Sequence, residues 1–211
     1  MSARIDHTTT SGTFSLDGET HQVDNNAWVV GDDQECVVID VPHDVDAIKK
    51  LIDGRTVLAI LATHAHDDHV RVAPELAGKT GAPILLHPDD QVVWELTHPD
   101  TSPDGTLTDG QTIEVGGTTL EVLHTPGHAP GACCFYSASL NTVFTGDTLF
   151  HGGPGATGRS YSDYGTIVAS IQNRLLTLPA DTIVHTGHGE STTIGTEAPH
   201  LQEWLDRADG A

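Results

Sequence analysis

Six apolar residues, Val57-Leu58-Ala59-Ile60-Leu61-Ala62, run directly into Thr63-His64-Ala65-His66-Asp67-Asp68-His69. The run has the length and composition of a buried strand. The polar stretch after it therefore occupies a loop where a central strand ends, a common seat for catalytic groups on a rigid scaffold. Four potential metal ligands, His64, His66, Asp68 and His69, fall within six residues there. Such groups are costly beside a core unless something satisfies them, and a bound metal does so. His64 and His66 are one residue apart, so in an extended loop both rings face the same way. Asp68 and His69 are adjacent and diverge, which suits a second metal beside the first.

Three later stretches supply similar residues, each beyond an expected strand and each marked by glycine: Thr125-Pro126-Gly127-His128, Thr145-Gly146-Asp147 and Thr186-Gly187-His188-Gly189. Glycine lets the backbone approach closely there. Histidine and carboxylate ligands suit zinc, iron or manganese.

The periodicity around these motifs sets the fold class. Strands are expected at 26–30 and 35–41, joined as a hairpin, with a weaker alternation at 12–16 before the turn Asp17-Gly18. A helix over 43–53 follows from Val45, Ile48, Leu51 and Ile52, closed by Gly54. Further helices are expected at 70–80, 89–96, 167–178 and 201–207. Further strands are expected at 83–87, 111–115, 118–123, 132–137, 142–145 and 182–185. Residues 97–110 read as a loop. Residues 150–164 carry no period and four glycines, long enough for a loop to be functional. Strands and helices thus recur in two comparable halves, which fits one domain over residues 1–211. Two sheets packed face to face with helices outside suit this order better than one doubly wound sheet.

Charge excludes some partners. There are 30 Asp and Glu against 9 Lys and Arg, a formal net charge of −21. Nucleic acid and anionic membrane surfaces would both repel such a chain. The start is polar without an apolar signal core, and no run approaches the ~20 apolar residues of a membrane span. Cys36, Cys133 and Cys134 lie in strand-like runs and read as buried thiols rather than a disulfide framework. A cytoplasmic protein is expected. A homo-oligomer is admissible, and the sequence sets no subunit number.

Taken together, the 64–69 segment, Pro126-Gly127-His128, Gly146-Asp147 and Gly187-His188-Gly189 resemble the metallo-β-lactamase fold superfamily, over roughly residues 20–195. The resemblance implies an αββα sandwich with a binuclear metal site at one edge. Carried over by position, His64, His66 and His128 would hold the first metal. Asp68, His69 and His188 would hold the second, and Asp147 would bridge both. Two divalent ions are implied, zinc in the first place, with iron or manganese admissible. Asp40 matches a recurrent family aspartate that supports the ligand loop from behind.

Within the superfamily the chain is most similar to small glyoxalase II-like (hydroxyacylglutathione hydrolase-like) thioesterases. Leu-His-Pro-Asp-Asp at 86–90, His-Thr-Pro-Gly-His at 124–128 and Phe-Thr-Gly-Asp-Thr-Leu-Phe at 144–150 carry that likeness. The chain ends too soon after Gly189 for the helical extension that holds glutathione in full-length glyoxalase II. Thioesters of mycothiol or of a carrier are therefore equally admissible. The expected reaction is attack of a metal-bridging hydroxide on a thioester carbonyl. Asp68 and Asp147 are its catalytic carboxylates, Asp147 orienting the hydroxide and standing ready for its proton. His151, Arg159 and Tyr161, in the glycine-rich loop, are candidate substrate contacts. His87 and His124 read as structural hydrogen bonders, and His7, His21, His43, His98 and His200 as surface residues.

Three other readings stay open on these residues. Persulfide dioxygenases are similar to this family and bind one iron through positions matching His64, His128 and Asp147. A lactonase or β-lactamase reading ranks below both, and a non-enzymatic metal-binding protein ranks last.

Overall fold

The computed structural model describes residues 2–209. Two six-stranded mixed sheets form the interior. The first runs in the order β1 (Arg4–Leu16), β2 (Glu19–Gly31), β3 (Glu35–Ile39), β4 (Thr56–Leu61), β5 (Ile84–Leu86) and β6 (Gly105–Thr106). Its first three strands are antiparallel and its last three join in parallel. Numbered along the chain, the second sheet is made of β7 (Thr112–Val115), β8 (Thr118–His124), β9 (Cys133–Ser137), β10 (Thr142–Gly146), β13 (Ile183–Thr186) and β14 (Thr192–Thr193). These lie side by side in the order β14-β13-β10-β9-β8-β7, and only β10 and β13 are parallel. A short ribbon, β11 (Leu149–Phe150) with β12 (Gly153–Pro154), stands apart from both.

Alternation along each strand assigns side chains to three layers. Trp28, Val30, Val37 and Ile39 of the first sheet meet Leu120, Val122, Phe135 and Phe144 of the second, so the sheets pack face to face. Their alternating neighbours Ala27, Val29, Cys36 and Val38 face outward onto α1 (Val45–Ile52), α3 (Ala73–Thr80) and α4 (Gln91–Thr97). On the far side Cys134, Val143 and Val184 meet α5 (Tyr164–Ser170) and α7 (Leu201–Asp209). Strands buried on both faces read as unbroken apolar runs, which is why β3, β4 and β10 stand out in the sequence. The expected αββα sandwich is the observed architecture.

Several elements differ from expectation. β1 and β2 are a 13-residue paired hairpin closed by Asp17-Gly18, where only the inner parts carry an apolar signal. Its outer half is Thr- and Ser-rich and half exposed, so backbone pairing holds it rather than burial. The helix expected at 70–80 is split into a single turn, α2 (Asp67–Val70), and α3, with Pro74 in the first turn of the second piece. The helix expected at 167–178 begins earlier, at Tyr164, and gives way to a π-turn at Ile171–Leu175. α6 (Ile194–Glu197), β6 and β14 are too short to leave a periodic trace. All three cysteines are buried and free, as expected. Among the described residues no helix is long and apolar enough to cross a membrane.

Candidate metal centre

Four strands deliver the ligand-type residues to one edge of the sandwich. β4 leads into His64, His66, Asp68 and His69; β8 into His128; β10 into Asp147; β13 into His188. Backbone bonds stitch these ends together: Cys133 N donates to Thr63 O at 2.7 Å, and Gly187 N to Gly146 O at 2.8 Å. Gly187 is a glycine for want of space, since a Cβ there would overlap Asp147 Oδ1 and crowd the His69 ring. Seven side chains, His64, His66, Asp68, His69, His128, Asp147 and His188, converge as three overlapping ligand groups. The carried-over set is thereby brought together in space.

Two halves can be told apart. In the first, His66 Nδ1 lies 3.1 Å from His64 Nε2 and 3.0 Å from His128 Nε2. Tetrahedral zinc with nitrogen ligands at about 2.0–2.1 Å needs nitrogens about 3.3 Å apart, close to this spacing. In the second, His188 Nε2 lies 3.3 Å from both His69 Nε2 and Asp68 Oδ2. Asp147 faces both halves. Its Oδ1 is 3.3 Å from His69 Nε2, and its Oδ2 is 3.5 Å from His128 Nε2 and from His188 Nε2.

The outer nitrogens decide which tautomers are present. His128 Nδ1 donates to Ala156 O at 2.8 Å, and His188 Nδ1 to Asp24 O at 2.8 Å. His69 Nδ1 donates to the Asp40 carboxylate at 2.8 Å. Thr63 Oγ1 donates to Asp40 Oδ2, which leaves it to accept from His64 Nδ1 at 3.1 Å. With each outer nitrogen committed to its own acceptor, the Nε2 atoms of His64, His69, His128 and His188 all face inward, the arrangement metal-binding histidines show. Asp147 Oδ1 is buried with no hydrogen-bond partner. Inward ring nitrogens around an orphaned carboxylate oxygen fit divalent cations, and such a cluster is costly in a core otherwise.

Electrostatics divides the halves in the same way. Burial and the neighbouring imidazoles push His66 down to about 3, and hold His64 well below the ordinary value. Burial also works against a charged His69 and His188, but the carboxylates around them win. Asp147 and Asp68 hold His69 well above its usual range, and Asp147 brings His188 to about 10. Asp68 goes to about 2 despite its burial, because His69 and the bonds from His188 and Asn25 favour its charged form. The first half is a trio of neutral imidazoles. The second is a carboxylate-rich pair of sites that draws positive charge.

Supporting residues complete the centre, and the sequence motifs include two of them, Asp40 and Asp90. Asp40, at φ 59°, takes Thr63 N, Thr63 Oγ1 and His69 Nδ1, all at 2.8 Å, as its family match implied. Asn25 is fully buried and donates from Nδ2 to Asp68 Oδ2 at 2.9 Å, while His43 Nε2 bonds its Oδ1 at 2.8 Å. His43 therefore serves the centre rather than the surface. Asp90 accepts from Ala65 N at 2.7 Å and Gly131 N at 2.6 Å, tying the loop of His64 and His66 to the loop after His128. Asp90 ends the Leu-His-Pro-Asp-Asp motif, which marked the residue without giving its role, and for Asn25 there was no signal. Asp90→Ala strands two buried N–H groups and is expected to cost about 2–4 kcal/mol. Thermal unfolding checks this, as a drop in Tm of several degrees.

A small pocket opens beside His66 and His128, lined further by Phe14, Thr157, Arg159, Ser160 and Ser162. The glycine-rich loop forms one wall. Phe14 of β1 forms the other, its ring 5.1 Å from that of His66 and 4.9 Å from the Arg159 guanidinium. Arg159 Nη2 also meets His21 Nε2 at 3.0 Å, and Ser160 N donates to Asp17 Oδ2 at 2.9 Å, so the hairpin tip docks on this loop. His151 and Tyr161 are exposed and lie outside the pocket lining, Tyr161 at φ 69°.

Comparison with known proteins gives consistent matches. The model of the Metallo-beta-lactamase superfamily matches residues 22–188. A probable metallo-hydrolase, YqgX, of Bacillus subtilis is 35% identical over 189 residues, covering 82% of this chain and 88% of that one. The hydroxyacylglutathione hydrolase GloC of Haemophilus influenzae is 32% identical over 188 residues, covering 82% and 89%. Among solved structures, TTHA1623 in a di-iron-bound form superposes with a TM-score of 0.75 at 34% identity, covering 90% of this chain and 96% of that one. The BLEG-1 B3 metallo-beta-lactamase superposes with a TM-score of 0.78 at 32% identity, covering 92% and 99%.

Proposed function

This chain belongs to the metallo-beta-lactamase superfamily, and from that premise we propose that it is a dinuclear metal-dependent hydrolase of a thioester of a small thiol. The observation that carries the reading is Asp147. Its carboxylate faces two separate groups of inward nitrogens, and one of its oxygens is buried without a partner. In the one-iron alternative the same carboxylate would be a ligand of that iron, so what supports two ions is that Asp147 also faces His69 and His188, which group with Asp68.

His64, His66 and His128 would hold one divalent ion, and Asp68, His69 and His188 the other, with Asp147 common to both. The imidazole-rich half favours zinc, and iron is admissible in view of the di-iron relative. The ions would supply a water made acidic near neutral pH and a Lewis acid for the substrate carbonyl. The chain supplies the rest. Asp147 offers an acceptor oxygen for the proton of the attacking water. Phe14 and the 157–162 wall exclude bulk water from one side of the centre. The C–S bond breaks as the carbonyl reforms, and the thiolate, with a parent pKa of about 8.5, departs without a general acid. Asp68 is fixed by Asn25, so that one of its oxygens keeps a constant orientation.

The choice of a thioester rests on the likeness to GloC and on the motifs it shares with glyoxalase II-like chains. Arg159 is the one cationic side chain lining the pocket, and it would receive an anionic group of the substrate. Arg159→Ala is expected to raise KM about tenfold with kcat nearly unchanged, the signature of lost ground-state binding. A panel of glutathione, mycothiol and carrier thioesters, assayed on protein of defined metal content, tests the activity. About two metals per chain with thioester hydrolysis supports the reading. One iron per chain with oxygen uptake on a persulfide would overturn it in favour of a dioxygenase.

A further inference from the structure

A second group of ligand-type side chains lies outside the centre described above. His87 precedes the turn Pro88–Asp90, Asp89 lies within it, and His124 ends β8. Each offers a ligand atom, and these atoms lie within 4.8 Å of one another. We propose that His87, Asp89 and His124 form a separate, solvent-accessible site for a divalent transition metal.

The polar contacts leave the required atoms available. His124 Nε2 donates to Pro130 O at 3.0 Å, so its Nδ1 carries the lone pair. Its main chain is pinned as well, His124 N donating to Asp109 Oδ1 at 2.9 Å. His87 Nδ1 receives only a long bond, 3.3 Å, from Asp89 N, and lies 3.8 Å from Asp89 Oδ2. The Asp89 side chain is 60% exposed, free to swing toward a cation. Burial and the facing His124 ring push the His87 pKa down, which keeps an imidazole lone pair free at neutral pH. Two imidazoles and one carboxylate suit zinc, nickel or copper, and do not suit magnesium or calcium.

The rings of His87 and His124 stack with centroids 3.9 Å apart and planes 11° apart. A metal lies in the plane of each imidazole it bonds, so binding must tilt this stack open. That motion gives the site a signature of its own. The site also adjoins the scaffold of the main centre. Asp90, next to Asp89, anchors Ala65 and Gly131, and His124 begins the loop that carries His128. A metal here would clamp the turn to the end of β8.

The test compares the full chain with Asp89→Asn and with the double variant His87→Ala/His124→Ala, by equilibrium dialysis against zinc and then nickel. The double variant is expected to bind one equivalent fewer than the parent, whatever number the main centre holds. Asp89→Asn, an exposed change that spares the fold, is expected to weaken that equivalent by at least about tenfold. In the parent, the ring protons of His87 and His124 are expected to shift by NMR as this equivalent binds. Equal zinc content and affinity in all three proteins would overturn the proposal. So would an extra equivalent that binds without moving those ring signals.

Discussion

Asp147→Ala is expected to lose one metal equivalent and about three orders of magnitude in hydrolytic rate, roughly 4 kcal/mol of barrier, while the fold persists. The side chain approaches His69, His128 and His188 at 3.3–3.5 Å, so its removal strips the negative charge shared by both halves of the centre. His69 and His188 would then face each other across 3.3 Å with Asp68 between them and Asp40 behind His69 left to balance them. The fold should survive because the neighbouring backbone is held independently. Gly187 N reaches Gly146 O and Thr148 N reaches Thr145 O, with no call on the Asp147 side chain. Metal analysis, steady-state kinetics and circular dichroism on the same preparation check the three parts. A variant with unchanged metal content and rate would show that Asp147 is not shared between two ions.

Asp40→Ala carries the second large effect, and here stability falls together with metal binding. The carboxylate takes three hydrogen bonds in a site 2% exposed, and its loss strands Thr63 N and His69 Nδ1. Removing one partner from a buried network of this kind costs about 3–5 kcal/mol. The left-handed backbone at residue 40 adds a smaller cost for alanine, which asparagine largely escapes. His69 would also lose the bond that fixes its inward lone pair, so affinity for metal should fall about 10–100-fold. Asp40→Asn keeps the size and the backbone preference, but its amide offers only one acceptor oxygen. An intermediate loss is expected there. Chemical denaturation and chelator competition measure the two effects separately, and a variant matching the parent in both would refute the role of Asp40.

Much of the centre was legible because metal ligation demands particular residue types at strand ends. Four residues packed after an apolar run could not be ordinary loop residues, and the glycines at 127, 146 and 187 marked where the backbone had to make room. The sandwich was legible because strands covered on both faces must be apolar throughout. What escaped has a common physical cause. The β1–β2 hairpin is held by main-chain pairing, which every sequence can offer, and its half-exposed Thr and Ser carry no periodic signal. Asn25, His43 and Asp90 act through hydrogen bonds to residues 18–43 positions away, and single polar residues do not announce distant partners. Phe14 sat in a weakly alternating stretch and turned out to wall the pocket.

The docking of the hairpin tip on the glycine-rich loop has a practical corollary for anyone exchanging loops between this chain and its relatives. The pocket wall is a composite of two segments about 140 positions apart in the chain, since Asp17 pairs with Ser160 and His21 with Arg159. Transplanting residues 150–164 into a relative would move half a surface and leave its hydrogen-bond partners behind. A graft that carries 13–21 along with it transfers both sides of that wall, and leaves the strand ends of the candidate metal centre untouched.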